Sequence, residues 1–297
     1  MCRGIALVVG SRVRGIRFPK SRLCPLPMSP DERSFRRRVK GRVIVGVRRV
    51  AKRVVIQLDS EDAIVFEPRM TGRVLLAAPP EVKHVRAVID FSEPAPGLLV
   101  FWSMRGLSTL HLFSPGQFAH VLGPDRIGPD ALVVTEAELR AAFGKSRRAI
   151  KPALLDQKAV AGIGNIYASE ILHRAKVHPE IPCDRITAGQ WRRIHAQTHA
   201  VLHAAVAAQG STLADGGYQT VEGRSGQYQE QIRVYGRTDE TCQICGRGRI
   251  RRIVQAQRST FFCPVCQRAV RRKTKQGGRM PFSDMHTDPF SSQPKGP

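Results

Sequence analysis

The sequence predicts an α+β protein of several domains: an N-terminal β-sandwich, a helical domain and a C-terminal zinc ribbon. Short runs rich in β-branched residues fill the first part of the chain, helical periodicity follows from about residue 133, and two Cys-x-x-Cys pairs come last. We expect the sandwich at residues 1–122, a linker at 123–132 and the helical domain at 133–228. A zinc-finger hairpin is expected at residues 229–268, followed by a disordered basic and polar tail at 269–297.

The positive charge of the chain indicates a nucleic-acid partner. Its 297 residues include 48 Lys or Arg and 24 Asp or Glu, which gives a formal net charge of +24 at pH 7. An excess of this size is typical of proteins that bind polyanions. A membrane surface is the rival polyanion. The sequence has no apolar run near the roughly 18–20 residues of a spanning helix, so we expect no membrane contact.

Cysteine usage indicates a reducing compartment. Four of the seven cysteines stand in a zinc pattern, whereas Cys2, Cys24 and Cys183 are scattered and fit ordinary packing roles. The apolar N-terminal stretch, residues 1–10, is too short for a signal peptide with a cleavage site. We therefore expect a cytoplasmic protein.

Residues 1–122 carry the strand signals. β-branched runs with partial alternation cover residues 43–58, 63–66, 73–76, 85–91 and 98–102. The last two runs are separated by a turn-rich link of hairpin type, residues 92–97. Several short strands at regular spacing favour a sandwich. The following stretch, residues 123–130, has two Gly-Pro steps and no periodicity, which predicts a linker.

Helical signals begin with Thr135, a plausible cap. A helix is predicted over residues 150–160, with Pro152 in its first turn, and a long helix over residues 188–208. Between them stands Gly162-Ile-Gly-Asn165. Its glycines permit close approach of the backbone to a ligand, and Asn165 is a candidate N-cap for a helix start that would bind phosphate. The alternative is that the glycines serve only to turn the chain.

The zinc site is predicted at Cys242, Cys245, Cys263 and Cys266. Two Cys-x-x-Cys knuckles at this separation match a zinc ribbon, in which each knuckle supplies two of four tetrahedral thiolate ligands. Two disulfides, or four thiols that bind nothing, are the alternative interpretation. One structural Zn²⁺ would supply the folding energy of so small a module. The segment between the knuckles also carries five arginines and no acid, a composition suited to phosphate: Arg247, Arg249, Arg251, Arg252 and Arg258.

Four blocks of sequence resemble the formamidopyrimidine-DNA glycosylases. Residues 155–179 are similar to the helix–two-turns–helix motif of that family, and three later blocks, residues 209–213, 234–237 and 258–267, follow in the same order. The resemblance covers nearly everything from about residue 4 to 267. It implies removal of oxidised purines from duplex DNA, followed by lyase cleavage of the abasic strand. The damaged base would be flipped out of the helix, which costs a few kcal/mol. The resemblance also implies a monomer associated with the bacterial nucleoid.

The resemblance assigns roles to individual residues. Met70, Arg105 and Leu107 fall on the two loops that fill the gap left by the flipped base, Leu107 standing where the family usually has Phe. Lys52, Asn165 and Arg258 fall on phosphate-binding positions, and Lys52 also supports catalysis. For Met70 the alternative is core packing, and for Lys52 it is an ordinary exposed lysine. By family analogy, residues 211–227 cover the flipped base.

Two departures from the family pattern stand out. Glu67 occupies the place of a phosphate-binding histidine, where Arg69 could compensate. The family's nucleophile is an N-terminal proline followed by glutamate; its α-amine, with a pKa near 8, can attack the sugar and form a Schiff base. No Pro-Glu stands near Met1. We expect either that the true start lies upstream, or that the protein is a catalytically silent paralogue that binds damaged or abasic DNA.

Three alternative functions have some support in the sequence. An endonuclease VIII-like enzyme for oxidised pyrimidines stays open. An RNA-binding zinc-ribbon protein would bind structured RNA in preference to damaged duplex DNA. A zinc nucleobase deaminase is suggested by His178-Pro-Glu180, but Ile186 stands where its second cysteine is required, so that reading fails.

Overall fold

The computed structural model describes residues 1–20, 25–92, 97–213 and 218–269. Cys24 and the predicted tail from residue 270 onward lie outside the described residues. Strands come first, helices follow, and a four-cysteine cluster closes the described chain. The predicted α+β arrangement is therefore confirmed.

Two sheets form the N-terminal sandwich. Their strands are β1 Val13–Arg17, β2 Met28–Ser29, β3 Ile44–Val50, β4 Arg53–Leu58, β5 Ala63–Glu67, β6 Gly72–Leu75, β7 Val85–Phe91, β8 Leu98–Ser103 and β9 Thr109–Phe113. One sheet has the order β1-β7-β8-β6 and the other β2-β9-β5-β4-β3. Only the β2–β9 pair is parallel among these described strands. The apolar faces meet around Ile56, Phe66 and Phe101, which are fully buried.

Three connections meet at one end of the sandwich, which we call the turn end. They are residues 51–52 between β3 and β4, 68–71 between β5 and β6, and 104–108 between β8 and β9. The register pairs Glu67 with Thr109 and Gly72 with Ser103, so these connections lie side by side. The β4–β5 turn lies at the opposite end, which we call the distal end.

Three helices accompany the strands, α1 Cys2–Ile5, α2 Glu32–Val39 and α3 Pro115–Leu122. The strand pattern of the sequence does not predict α2 or α3. The Asp31 side chain caps α2 by accepting from the Ser34 amide at 3.0 Å, and Ser114 caps α3 with Pro115 in its first turn. Such caps are local signals that a strand-based reading of residues 1–122 overlooks.

The helical domain contains α4 Glu136–Phe143, α5 Ile150–Leu154, α6 Asn165–Arg174 and α7 Ala188–Ala207. Thr135 caps α4 as predicted, and α7 matches the predicted long helix. The helix predicted over residues 150–160 ends early, at Leu154. Asp156 accepts from the Lys158 amide at 3.1 Å and Gln157 from the Gly162 amide at 3.0 Å, so side chains replace helical hydrogen bonds in the two turns.

The prediction that Asn165 caps α6 is wrong. The N-cap is Gly164, in extended conformation and without a side-chain cap, and Asn165 is the first helical residue. Its side chain is consequently free to bond elsewhere.

The zinc ribbon is built on a hairpin of β10 Arg251–Gln255 and β11 Arg258–Phe262. Both turn residues, Ala256 and Gln257, have positive φ, at 46° and 59°. Within the described part of the chain, no helix combines the length and the apolar character needed to cross a membrane.

Candidate nucleic-acid interface

Four polar side chains from four elements meet where the sandwich, the helical domain and the zinc ribbon adjoin. We call Lys52, Lys151, Asn165 and Arg258 the junction cluster. They come from the β3–β4 turn, α5, the start of α6 and the start of β11. Among the described residues, no carboxylate forms an ion pair with its three cations. Cations of one sign, held together without acids, form a site that attracts phosphate.

Lys52 reaches the helical domain from a two-residue turn. Its neighbour Ala51 has φ 53°, and Arg49 donates to the Ala51 carbonyl at 2.7 Å while also pairing with Asp130 of the inter-domain segment. The ammonium lies 3.8 Å from where a Cβ on Gly164 would stand, so this glycine leaves room for it. Although much of the side chain is exposed, burial of its head group lowers the pKa of Lys52 to about 8, and the Arg258 cation adds to this.

Lys151 is a cluster member that the sequence reasoning missed. Its side chain is fully buried, and the ammonium donates to the Asn165 side-chain oxygen and, at 3.2 Å, to the Ser259 carbonyl. Burial, and then the Arg258 cation, lower its pKa to about 8. The available signal was a lysine just before a proline at a helix start, immediately ahead of the two turns.

Asn165 ties α6 to the zinc hairpin. Its amide nitrogen donates to the Ser259 carbonyl at 3.1 Å and lies 3.4 Å from the Tyr235 hydroxyl. The segment that carries Tyr235 is itself held by Glu170, a second residue that the sequence reasoning missed. This fully buried carboxylate accepts from the amides of Arg233, Val234 and Tyr235 at 3.0, 2.9 and 3.0 Å.

Met70, Arg105 and Leu107 stand together on two joined loops at the turn end. Met70 is 60% exposed and Leu107 49% exposed, so core packing does not explain Met70. The Arg105 guanidinium lies 3.7 Å from the Met70 sulfur, and the Thr71 hydroxyl accepts from the Arg105 amide at 3.3 Å. Exposed apolar side chains on a stiff support are suited to inserting between bases.

Two small residues hold these loops rigid. A Cβ at Gly72 would lie 2.3 Å from the Pro68 carbonyl oxygen, so only glycine fits. The buried Ser108 hydroxyl donates to the same oxygen at 2.9 Å. This connects the loop containing Met70 to the loop containing Leu107.

Glu67 does not face the junction cluster as an unpaired acid. Its carboxylate pairs with Arg53 at 3.0 Å and with Arg69 at 3.0 Å. The predicted compensation by Arg69 therefore has a geometric basis. One acid between two arginines leaves a net positive charge at this position.

The segment predicted to cover a flipped base contacts both domains. Residues 214–217 lie outside the described residues. Beyond them, Arg73 donates to the Gln219 side chain and Leu76 donates to the Val221 carbonyl at 3.0 Å, which joins the segment to β6. Its end is joined to α7 through the Gln227 amide, which donates to the Ala208 carbonyl at 2.9 Å.

The four cysteine sulfurs fit one zinc ion. All lie within 4.8 Å of one another, and the Cys242–Cys266 and Cys245–Cys263 sulfurs are 3.8 Å apart. Tetrahedral Zn–S bonds of about 2.3 Å place sulfurs about 3.8 Å apart, so the spacing matches. Backbone amides of Arg247 and Gly248 donate to the Cys245 sulfur and lower its pKa to about 6, which favours the thiolate. These residues would hold zinc as a structural ion.

Family models match three parts of the chain. Residues 1–110 match the formamidopyrimidine-DNA glycosylase N-terminal domain, and residues 122–216 match the formamidopyrimidine-DNA glycosylase H2TH domain. Residues 239–269 match the zinc finger found in FPG and IleRS.

Similar proteins and structures agree with these matches. The formamidopyrimidine-DNA glycosylase of Bacillus subtilis is 36% identical over 88% of this chain and 93% of its own length, and that of Heliobacterium modesticaldum is 34% identical over 88% and 95%. A Lactococcus lactis Fpg in complex with abasic-site DNA superposes with a TM-score of 0.79 at 29% identity, over 90% of this chain and 97% of that one. The Fpg protein of Thermus thermophilus gives 0.76 at 32% identity, over 88% and 93%. This chain belongs to the formamidopyrimidine-DNA glycosylase family.

Proposed function

We propose that the protein is a DNA-repair glycosylase and AP lyase, which excises oxidised purines from duplex DNA and cleaves the resulting abasic strand. The observation that carries the proposal is the junction cluster, in which cations from three domains converge beside the loops of Met70 and Leu107. Family membership supports the same activity, because the relatives are formamidopyrimidine-DNA glycosylases. It also favours oxidised purines over the pyrimidine lesions of an endonuclease VIII-like enzyme.

Binding begins at phosphates that flank the damaged nucleotide. Lys52, Asn165 and Arg258 would grip them without reading sequence, as phosphate contacts do. Lys151 is too buried to touch DNA, so it acts as a positioning residue for the Asn165 side chain. Its charge also makes the electrostatic potential at the junction cluster more positive. A phosphate in this site would favour the protonated form of Lys52.

Base flipping leaves a gap that the turn-end loops would fill. Met70 and Leu107 supply apolar volume, and Arg105 supplies a donor beside them. The stacking lost when the base leaves costs a few kcal/mol, which contacts of this kind partly restore. Leu107 stacks less well than an aromatic ring, so we expect Met70 to carry more of this role.

The chemical step needs a neutral amine at the sugar C1′ carbon. We propose, as the resemblance to the family implies, that it is the α-amine of an N-terminal proline, with a following glutamate as the proton-transfer group. Lys52, whose pKa is lowered to about 8, would support the reaction by exchanging a proton near neutral pH. We further propose that the protein acts as a monomer on nucleoid DNA in the cytoplasm.

One experiment tests this proposal in two stages. The N-terminus of the protein purified from its native source is sequenced, and that protein is then treated with borohydride in the presence of abasic duplex DNA. We expect a Pro-Glu terminus and a covalent adduct on the N-terminal peptide. Tight binding to abasic duplex without an adduct would overturn the lyase assignment and favour a catalytically silent DNA-binding protein.

A further inference from the structure

Half of the chain's net positive charge lies in its first 50 residues. They contain 14 Lys or Arg and two Asp or Glu, a net +12 of the total +24. The junction cluster accounts for none of these 14, because its members begin at Lys52. The concentration of charge therefore needs a separate explanation.

Helix α2 presents much of this charge on one face. Phe35 and Val39, four residues apart, are fully buried and fix the inward side. The outward side carries basic residues three and four apart: Arg33, Arg36, Arg37 and Lys40. Side chains at this spacing are neighbours, and like charges so placed destabilise a helix. Several like charges on one exposed face attract anions.

Part of this charge is internally neutralised and part is not. Arg36 pairs with Glu32 at 2.9 Å, and Arg38 pairs with Asp62 at 2.8 Å. Four further cations are exposed and have no ion-pair partner within the described ranges: Arg33, Arg37, Lys40 and Arg42. We call these four residues the α2 surface.

The α2 surface is remote from the junction cluster. Arg38, at its centre in sequence, binds Asp62 in the β4–β5 turn and donates to the Leu112 carbonyl near the end of β9. Both contacts belong to the distal end of the sandwich. β4 has six residues, so about 17 Å of strand separates this end from the turn end that holds Lys52. A duplex held at the junction cluster would leave the α2 surface free.

The chemistry of the surface fits the backbone of duplex DNA. Guanidinium groups bind phosphate in bidentate fashion, and an eight-residue helix about 12 Å long spans three to four phosphates at the rise of about 3.4 Å per nucleotide. Single-stranded nucleic acid is normally bound with stacking aromatic side chains. Phe18 is the neighbouring aromatic ring, and Arg36 covers it at 5.3 Å. This favours a duplex over a single strand.

We propose that the α2 surface binds the phosphate backbone of a second double-stranded DNA segment, so that one protein molecule bridges two segments. The proposal rests on the proposed function only in that the junction cluster holds the first segment. A second contact of this kind would let the protein pass between neighbouring segments of long DNA without full release.

A bridging assay with the full chain tests the proposal. Abasic duplex is immobilised, protein is bound to it, and retention of a second, undamaged, labelled duplex is measured. The test variant is R33Q/R37Q/K40Q/R42Q. The control variant, R126Q/R140Q/R185Q/R192Q, removes the same charge from other exposed positions. Binding of a short abasic duplex alone is measured in parallel for all three proteins.

We expect the wild-type and control proteins to retain the second duplex. Retention by the test variant should be at least about tenfold lower. Retention by the wild type should fall about 10²-fold between 50 and 200 mM salt, as four phosphate contacts require. Binding of the short abasic duplex should be unchanged in the test variant, whereas a junction cluster that does not hold DNA would abolish this binding in all three proteins.

Equal retention by the test variant and the wild type would overturn the proposal, as would equal losses in both variants. Two junction clusters of a protein dimer could also bridge two duplexes. Such bridging would survive in the test variant, and this result would count against the proposal. Displacement of the second duplex by polyglutamate as effectively as by duplex DNA would indicate an acidic protein partner and would also refute the proposal.

Discussion

DNA affinity should fall as pH rises from 7 to 9, because Lys52 and Lys151 lose protons in this range. Burial, and then the Arg258 cation, lower the pKa of each to about 8. A bound phosphate favours the protonated amines, so the complex takes up protons and affinity decreases once the free lysines are neutral. An ordinary lysine, with a pKa near 10.4, stays charged over this range and gives no such effect.

The magnitude follows from the two pKa values. A free lysine with a pKa of about 8 is about 90% protonated at pH 7 and about 10% protonated at pH 9. If the same lysine is fully protonated in the complex, DNA affinity falls about tenfold between pH 7 and pH 9 for each such lysine. Because Lys151 is fully buried, it interacts with a bound phosphate by long-range electrostatics and not by direct contact. Lys52 is partly screened by solvent. The total decrease should therefore lie between about 10- and 100-fold.

Fluorescence anisotropy with a labelled abasic duplex, at constant ionic strength, measures this dependence. The decisive variant is Lys52→Arg, which keeps the charge at all pH values and should remove the Lys52 share of the decrease. Lys158→Arg, at an exposed lysine, is the matched control and should behave as the wild type. Affinity that is constant from pH 7 to 9, or an unchanged pH dependence in Lys52→Arg, would refute the reasoning.

Three further predictions concern the hairpin and the loops. Cys263→Ser should reduce bound zinc from one equivalent to less than about a tenth, measured by metal analysis, because three thiolates no longer close the site; full zinc content would contradict the predicted site. His173→Phe should speed zinc loss to a chelator by about tenfold, because the buried imidazole nitrogen lies 3.4 Å from the Cys242 sulfur, as an outer partner of that ligand; an unchanged release rate would remove this role. Arg258→Ala should lower the slope of log affinity against log salt by about 0.9, whereas Met70→Ala should leave that slope intact and slow base excision. Equal slopes in both variants would argue against separate roles for Arg258 in phosphate binding and Met70 in insertion between bases.

Features that depend on near neighbours in sequence were predictable. A Cys-x-x-Cys turn presents its two thiolates together whatever surrounds it, so the spacing alone predicts the four-cysteine cluster that the structure contains. The strands from β3 to β8 follow the predicted β-branched runs, and Thr135 caps α4 through an amide three residues away. Asn165 and Arg258 were singled out within blocks of sequence, and the structure places both in the junction cluster.

The failures of the sequence reasoning at the site share one physical cause, which is that the deciding partner is distant in the chain. Nothing in the local sequence identifies the partner of Lys151, whose ammonium donates to the Ser259 carbonyl, 108 residues away. Glu67 is a misplaced acid in the sequence, but its pairing with Arg53 across two strands neutralises it. Asn165 was expected to cap α6, but its side chain bonds instead to the zinc hairpin.

The sequence by itself therefore determined most of the element types, the zinc ligands and the excess of positive charge, because these arise from local spacing and composition. Only the tertiary structure decided where that charge lies. It separates the junction cluster at the turn end from the α2 surface at the distal end, because the direction of β4 and the contact of Arg38 with Asp62 set the two apart. No periodicity in the chain encodes that separation, since it depends on how strands pair across the sandwich.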